Sequence, residues 1–326
     1  MESKSMHYDI MKVIATFFVV FAHSSRMYTG EGVVIPLNSS LFLCQLTKLI
    51  YDFHMPLYLG ISGMVYGFCI NDLNKYNDSI KFIKNKFVRL IVPYLFFGLI
   101  YVAPIMILLH FTNNSYIEYC ISGILMVKDS RHLWYIVVLF EIYIICMVSK
   151  KIMKKGSCFL DMFILLGVSY FSYIFPGIFQ ISNLAYYFIF FYLGVLFNKY
   201  YQKIMIILKN PVIIFLMLIF QMLLFNYSNW IINFLKAIFG SLFIVGISKY
   251  IPEKILSQRF FFNAKINGFG IYLFHPMIIY ILYFFLGSTN TNPIILCLGI
   301  AIISYILSWL FTELFRKLKL SILIGE

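Results

Sequence analysis

The segment VIATFFVVFAHSSRMY (residues 13–28) joins ten nearly unbroken apolar residues to a histidine, two serines and an arginine. An apolar run of this kind is typical of a helix that crosses a lipid bilayer. Ionisable side chains are costly inside a membrane, so a histidine here indicates either a chemical role or a structural hydrogen bond between helices. His23 is therefore the first candidate functional residue of the chain.

The composition of the whole chain places most of it in a membrane. Of the 326 residues, 62% are hydrophobic and only 12% are charged, which excludes a soluble globular domain. We expect an all-α polytopic membrane protein of about ten transmembrane helices, forming a single integral-membrane domain over residues 1–326. The ten predicted spans are residues 10–27, 50–70, 88–110, 132–149, 158–176, 184–198, 206–226, 231–249, 268–287 and 294–315.

The distribution of lysine and arginine predicts the orientation of these spans. Most of the 26 basic residues fall on one side if both termini are cytoplasmic, as the positive-inside rule requires. The predicted cytoplasmic clusters lie within residues 4–12, 75–89, 150–155, 199–209, 249–265 and 316–319. The net charge of +13 is then explained by topology and by anionic lipid head groups, without a nucleic-acid partner.

The cysteines and the first apolar run carry no other signal of chemistry or processing. The six cysteines include no Cys-x-x-Cys pair, so we expect no metal site and no disulfide framework. Asp9 and Lys12 flank the first apolar run, and HSSRMY ends it, so we expect a retained first span without a cleaved signal peptide.

Polar residues can be placed by depth once the spans are assigned. Lys12 and His23 are about three helical turns apart, on one face of the first helix and separated by roughly 16 Å along its axis. Asp9 is one turn before Lys12 and is a natural i, i+3 partner for it. We place Lys12 at the cytoplasmic end and His23 in the outer half of the membrane.

The segment YDFHMPLYLGISG (residues 51–63) opens the second predicted span and runs in the opposite direction. Asp52 and His54 are therefore expected near the outer surface, close in depth to His23. Two further histidines, His110 and His132, fall on the same side. The residues that predict a bend or a close helix approach are Pro56, Gly60 and Gly63.

The inner side of the membrane has a cationic character. The segment KFIKNKFVRLIVPYLFFG (residues 81–98) places Lys86 and Arg89 at the mouth of the third span, where they serve either as plain topology charges or as ligands of a phosphorylated molecule. His275, in GFGIYLFHP, is expected about 10 Å from the cytoplasmic end of the ninth span. Within other spans, Glu141 and Glu313 are candidate cavity groups, and Lys236 is a candidate partner for one of them.

Five segments in this order resemble the integral-membrane acyltransferases of acyltransferase family 3, in particular fucose O-acetylases and surface-polysaccharide O-acetyltransferases. The segments are YDIMKVIATFFVVFAHS, FHMPLYLGISG, KFVRLIVPY, HLWYIVVLF and GIYLFHP. Their order and spacing span nearly the whole chain. Many members of the family carry arginine where this chain has Lys12, which leaves the role of that position open.

The resemblance implies transfer of an acyl group, usually acetyl, from cytoplasmic acetyl-CoA to a hydroxyl of a surface polysaccharide or lipid-linked glycan in a bacterial cytoplasmic membrane. His23 matches the family's essential histidine, and a neutral imidazole suits general-base work. His54 or Asp52 would orient His23 or the sugar. Lys12, Lys86 and Arg89 would hold the phosphates of acyl-CoA, and His275 would line that cavity or pack in the core.

A transporter or flippase of a lipid-linked sugar is the alternative from another functional class. Ten spans with polar residues at mid-depth would also suit alternating access. The chain shows no internal repeat of the kind that such carriers often have. The cations are predicted on the inner side and the histidines on the outer side. This division favours an enzyme in which two ligands meet over a transporter through which one ligand passes.

Overall fold

The computed structural model describes residues 2–149, 158–256 and 258–326, which form helices joined by turns and contain no β-strand. The main helices are α1 (Glu2–Ser25), α2 (Leu41–Tyr51), α3 (His54–Asn71), α4 (Ser79–Leu108), α5 (Tyr116–Leu125), α6 (Trp134–Val148), α7 (Cys158–Tyr170), α8 (Ile181–Lys199), α9 (Tyr201–Ile207), α10 (Pro211–Leu223), α11 (Trp230–Ser248), α12 (Glu253–Leu256), α13 (Arg259–Leu286) and α14 (Pro293–Lys317). The predicted cytoplasmic lysines Lys150, Lys151, Lys154 and Lys155 lie outside the described residues.

Eight helical segments of this described part are long and apolar enough to cross a membrane. They are Lys4–Tyr28, Leu41–Asn71, Ser79–Leu108, Arg131–Val148, Ile178–Lys199, Trp230–Ser248, Arg259–Leu286 and Pro293–Lys317. The pair α9–α10, bent by 85°, makes a ninth if it is counted as one span. The all-α polytopic class is therefore confirmed, with eight or nine spans where the sequence predicted about ten.

The two predicted segments that fall short have identifiable helix breakers. In residues 206–226, Asn210 caps a new helix at its N-terminus and Pro211 occupies its first turn, so the chain turns sharply between α9 and α10. In residues 158–176, α7 is only 13 residues long. Phe175 is extended, as expected for a residue that precedes a proline, and no long helix forms there.

Helix α4 accommodates two prolines without ending. Wide π-helical turns occupy Phe87–Ile91 and Phe97–Val102, on either side of the short α-helical stretch that contains Pro93. Pro104 follows the second of these turns. A proline removes a backbone donor, and π-turns are a known way for a helix to absorb that loss.

The described chain divides into two compact units, residues 1–73 with 190–312 and residues 74–189 with 313–326. In the first unit, α1 and α13 run in the same direction, since Asp9 pairs with Lys265 near their beginnings and the hydroxyls of Ser24 and Tyr283 meet near their ends. This parallel register decides which side chains of the two helices meet.

The first unit also contains a glycine-mediated helix contact. A Cβ added to Gly63 would overlap the carbonyl of Phe191, and one added to Gly194 would overlap the carbonyl of Gly60. Helix α3 and the C-terminal part of α8 therefore pack at backbone distance, as small residues permit in membrane proteins. The close approach predicted at Gly60 and Gly63 is confirmed.

In the second unit, α4 is fixed at several points along its length. Gly98 packs against the side chain of Ile124 in α5, and the Tyr94 hydroxyl donates a hydrogen bond to the carbonyl of the same residue. Arg89 donates from Nε to the carbonyl of Gly325 at 3.0 Å. The C-terminal residues of the chain are thereby held against this helix.

Candidate active site

The rings of His23 in α1 and His275 in α13 are in contact edge to face, with centroids 5.1 Å apart and planes inclined by 67°. The sequence had grouped His275 with the inner cations because the ninth span was expected to begin at residue 268. Helix α13 begins at Arg259, which places His275 about 24 Å along the helix. The structure thus groups His275 with His23, about 15 Å along α13 from Lys265.

The tautomer of His275 is set by its own backbone. Nδ1 lies 2.9 Å from the carbonyl oxygen of Ile271, and a carbonyl oxygen only accepts hydrogen bonds, so Nδ1 carries the proton. In the neutral ring, Nε2 then bears a lone pair. His275 is fully buried, and Ser304 donates to its backbone carbonyl at 2.9 Å. This histidine is therefore held rigidly as a proton acceptor.

His54 has the same tautomer for a related reason. Helix α2 ends at Tyr51 and α3 begins at His54, and the break leaves carbonyls at the end of α2 without their usual helical donors. The His54 Nδ1 donates to the carbonyl of Ile50 at 3.1 Å, so its Nε2 also bears the lone pair. The apolar segment that contains His54 begins at Leu41, whereas the sequence predicted a span that begins at residue 50. The position of His54 near the outer surface stays a prediction.

Tyr51 connects His54 to His23, which in turn contacts His275. Its ring centroid is 4.5 Å from that of His54 and 6.5 Å from that of His23. The Arg26 guanidinium lies 5.5 Å from the centre of the same ring. We call His23, His54 and His275 the histidine cluster, in which Tyr51 lies between His54 and His23. Tyr51 directly precedes Asp52 in the quoted second segment, but nothing in the local sequence distinguishes it from the other tyrosines as a site residue.

Asp52, which is partly buried, forms an ion pair with a buried lysine beside the histidine cluster. Its Oδ1 is 3.0 Å from the Nζ of Lys236 in α11, whose side chain is only 6% exposed. A buried charge is strongly destabilising without a partner, so each side chain holds the other in place. The predicted pairing of Lys236 with Glu141 or Glu313 is wrong, and Glu313 pairs with Arg316 at 2.9 Å.

A second charged group lies further toward the beginnings of α1 and α13. Asp9 accepts from Lys12 at 3.2 Å, which confirms the predicted i, i+3 pair, and its other oxygen lies 2.6 Å from the Nζ of Lys265. We call Lys12 and Lys265 the lysine pair. Lys265 was not singled out from the sequence because the predicted span began three residues after it, although α13 includes it.

Hydroxyl and aromatic side chains lie between the lysine pair and the histidine cluster. Thr16 donates to the carbonyl of Lys12 at 2.9 Å, so it accepts the 2.8 Å hydrogen bond from the Tyr58 hydroxyl. The Tyr272 ring lies 6.3 Å from that of Tyr58 and 6.1 Å from that of His275. We call Thr16, Tyr58 and Tyr272 the hydroxyl row. These residues lie between the lysine pair and the histidine cluster of the first unit.

Lys86 and Arg89 belong to the second unit, where both line a cavity of about 290 Å³. The Nζ of Lys86 lies 4.3 Å from the centre of the Tyr143 ring, in a cation–π contact. His110 follows α4 and is exposed, whereas His132 is buried just before α6. Within the second unit, the cavity of about 290 Å³ brings together Lys86 and Arg89, which the sequence assigned to the mouth of the third span.

Comparison with known proteins gives one family. The model of the family described as "Acyltransferase domain" matches residues 7–313. No curated protein and no solved structure matches the chain. The matched range contains the histidine cluster, the lysine pair and the hydroxyl row.

Proposed function

The chain belongs to this acyltransferase family and is a membrane acyltransferase, and from that premise we propose that it acetylates a glycan. The acetyl group would come from cytoplasmic acetyl-CoA. The acceptor would be a hydroxyl of a surface polysaccharide or a lipid-linked glycan. The observation that carries the proposal is the histidine cluster, which brings the ring of His23 next to that of His275, with the protons of His54 and His275 held on Nδ1 by backbone carbonyls.

In the proposed reaction, His23 acts as the general base. The acceptor oxygen attacks the thioester carbonyl carbon as His23 takes its proton, so that a C–O bond forms and the C–S bond breaks. The proton then passes from His23 to the departing thiolate, which leaves as the free thiol of CoA. His275 supports this cycle because its neutral ring lies against the ring of His23, where the charge develops.

His54 and Asp52 have supporting roles in this proposal. His54 contacts Tyr51, whose ring lies next to that of His23, so it orients His23 or the sugar through this tyrosine. Asp52 is engaged with Lys236 and acts by fixing the break between α2 and α3. Asp52 is therefore a positioning residue in our proposal and does not contact the reacting atoms.

Cations would bind the phosphates of the donor. Lys12 is partly exposed in the first unit, and Lys86 and Arg89 line the cavity of the second unit. Each is proposed separately as a phosphate ligand, because ammonium and guanidinium groups form strong charge-assisted hydrogen bonds with phosphate oxygens. The family membership supports acyl transfer and gives no support to the transporter alternative.

The test is the O-acetyl content of surface polysaccharide, measured by NMR in cells that lack the protein. These cells are complemented with wild type, His23→Ala or His110→Ala at matched membrane abundance. His110 is an exposed histidine of the second unit and serves as the control. We expect wild type and His110→Ala to restore acetylation and His23→Ala to leave the glycan present but unacetylated.

Two results would contradict the proposal. Normal acetylation by His23→Ala would remove the general-base role from His23. Loss of the glycan itself from the surface of cells without the protein would indicate transport of the glycan, and would return the flippase to consideration.

A further inference from the structure

The carboxylate of Asp9 is shared by two ammonium groups that come from different helices. Lys12 lies at 3.2 Å on α1 and Lys265 at 2.6 Å on α13. Asp9 is buried, whereas the lysine side chains are 43% and 42% exposed. The group therefore presents two donors and one net positive charge to any anion that approaches it.

On the basis of the proposed function, we propose that Lys265 joins Lys12 in a clamp for the phosphates at the nucleotide end of the acyl-CoA donor. Asp9 holds the two ammonium groups at a common point before the donor binds. Each ammonium has three donor hydrogens, so a lysine that bonds one Asp9 oxygen retains others for a phosphate oxygen. Lys265 thereby becomes a binding residue of the donor site.

The register of α1 and α13 favours a long donor over a small anion. Lys12 lies about 16 Å from His23 along α1, and Lys265 lies about 15 Å from His275 along α13. Because the helices are parallel, both lysines meet at one level and both histidines at another. A ligand with phosphates at one end and a thioester at the other matches this arrangement.

The hydroxyl row provides hydrogen-bonding groups between the lysine pair and His275. Thr16 and Tyr58 are hydrogen-bonded one turn above Lys12, and Tyr272 contacts both Tyr58 and His275. The pantetheine arm of CoA carries amide groups, for which hydroxyl side chains are suitable partners. A lipid head group bound at the lysine pair carries no such amide arm for the hydroxyl row to bind. The nucleotide end of CoA is therefore the better match for the lysine pair.

The experiment measures binding to the full chain in nanodiscs of phosphatidylcholine, by calorimetry. The probes are CoA, adenosine 3′,5′-bisphosphate and uncharged pantetheine. The variants are Lys265→Gln, Lys265→Arg and, as a matched control from the neighbouring α12, Lys254→Gln. We expect Lys265→Gln to weaken binding of CoA and of the bisphosphate by about tenfold, the usual effect of one charge-assisted hydrogen bond. Pantetheine binding and the control should stay unchanged, and Lys265→Arg should retain part of the affinity.

Three results would overturn the clamp. The first is wild-type affinity of Lys265→Gln for the bisphosphate. The second is an equal loss of pantetheine binding, which would make Lys265 structural. The third is failure of wild type to bind CoA in these discs, together with retention of phosphatidylglycerol by wild type and not by Lys265→Gln in a second set of discs that contain this lipid, which would indicate a lipid head-group site.

The clamp and the proposed function fail in different ways. If the binding results are as expected but wild-type cells show no glycan acetylation, the clamp stands and the proposed acceptor is wrong. If cells acetylate the glycan through His23 while Lys265→Gln binds CoA normally, the proposed function stands and the clamp is wrong.

Discussion

His23 and His275 lie near opposite ends of the sequence, yet their rings meet with centroids 5.1 Å apart. The contact exists because the first and the second-last long helices pack in parallel register. The backbone of α13 assigns the His275 proton to Nδ1 and leaves Nε2 as an acceptor. The two histidines therefore form a unit that neither local segment reveals by itself.

We expect His275→Gln to lower the rate of acetyl transfer by about 100-fold, the lower end of the range for acid–base groups. The apparent KM for acetyl-CoA should change little, since His275 lies away from the lysine pair. The measurement is incorporation of labelled acetyl from acetyl-CoA into polysaccharide in membrane vesicles. Ser304→Ala is the matched control because Ser304 bonds the backbone carbonyl of His275 and not its ring. A nearly normal rate for His275→Gln would leave His275 as a packing residue.

Removing one member of the Asp52–Lys236 ion pair should destabilise the fold more than removing both. Asp52→Asn or Lys236→Met alone leaves a buried charge without its partner, and we expect each to destabilise the fold by about 3 kcal/mol. The double variant should recover most of that loss. Unfolding by denaturing detergent in micelles measures all three variants and gives the coupling energy. Additive effects in the double variant would show that the two side chains do not interact energetically.

The backbone contact between α3 and α8 should be intolerant of any side chain. We expect Gly194→Ala to destabilise the protein by about 2 kcal/mol or more, because the added methyl group overlaps the carbonyl of Gly60 and overpacking is costly. Gly299→Ala in α14 meets no atom within 4 Å and serves as the control. The control should be neutral or stabilising by up to about 1 kcal/mol, since alanine favours helix. Equal stability of the two variants in thermal unfolding would contradict the close packing.

Lys86 gives a test of the second unit. Lys86→Gln removes a cation that lines the cavity with Arg89, and we expect the KM for acetyl-CoA to rise about fivefold to tenfold with little change in kcat. The same vesicle assay measures both constants. Lys75→Gln is the control, because Lys75 is an exposed lysine of the same unit and does not line the cavity. An unchanged KM would show that Lys86 does not bind acetyl-CoA, and would leave it as a positive charge that sets the membrane orientation and as the cation–π partner of Tyr143.

The sequence predicted most of the spans and singled out His23 as a candidate because both depend on local properties. Long apolar runs identify helices directly, and a histidine inside such a run is conspicuous. The beginnings of the helices were harder to place. Helix α13 extends over RFFFNAKIN, whose arginine, asparagines and lysine lower the local hydropathy although the backbone is already helical. For this reason Lys265 was not singled out, and His275 was grouped with the cations instead of with His23.

Contacts between distant helices were beyond local prediction. Asp52 was expected close in depth to His23, but its depth did not reveal that it pairs with the buried Lys236 of α11. The tautomers of His54 and His275 also depend on backbone carbonyls, which a sequence does not place in space. The residue types were visible in the sequence, whereas their pairing depended on tertiary packing.

The parallel register of α1 and α13 also fixes the distance between the lysine pair and the two histidines. The lysine level and the histidine level are about 15 to 16 Å apart on both helices, and a packed helix does not stretch. A thioester carried on a shorter arm would reach the lysines and stop before the histidines. The helix pair would therefore select donors by the length of the carrier arm, independently of the acyl group at its end.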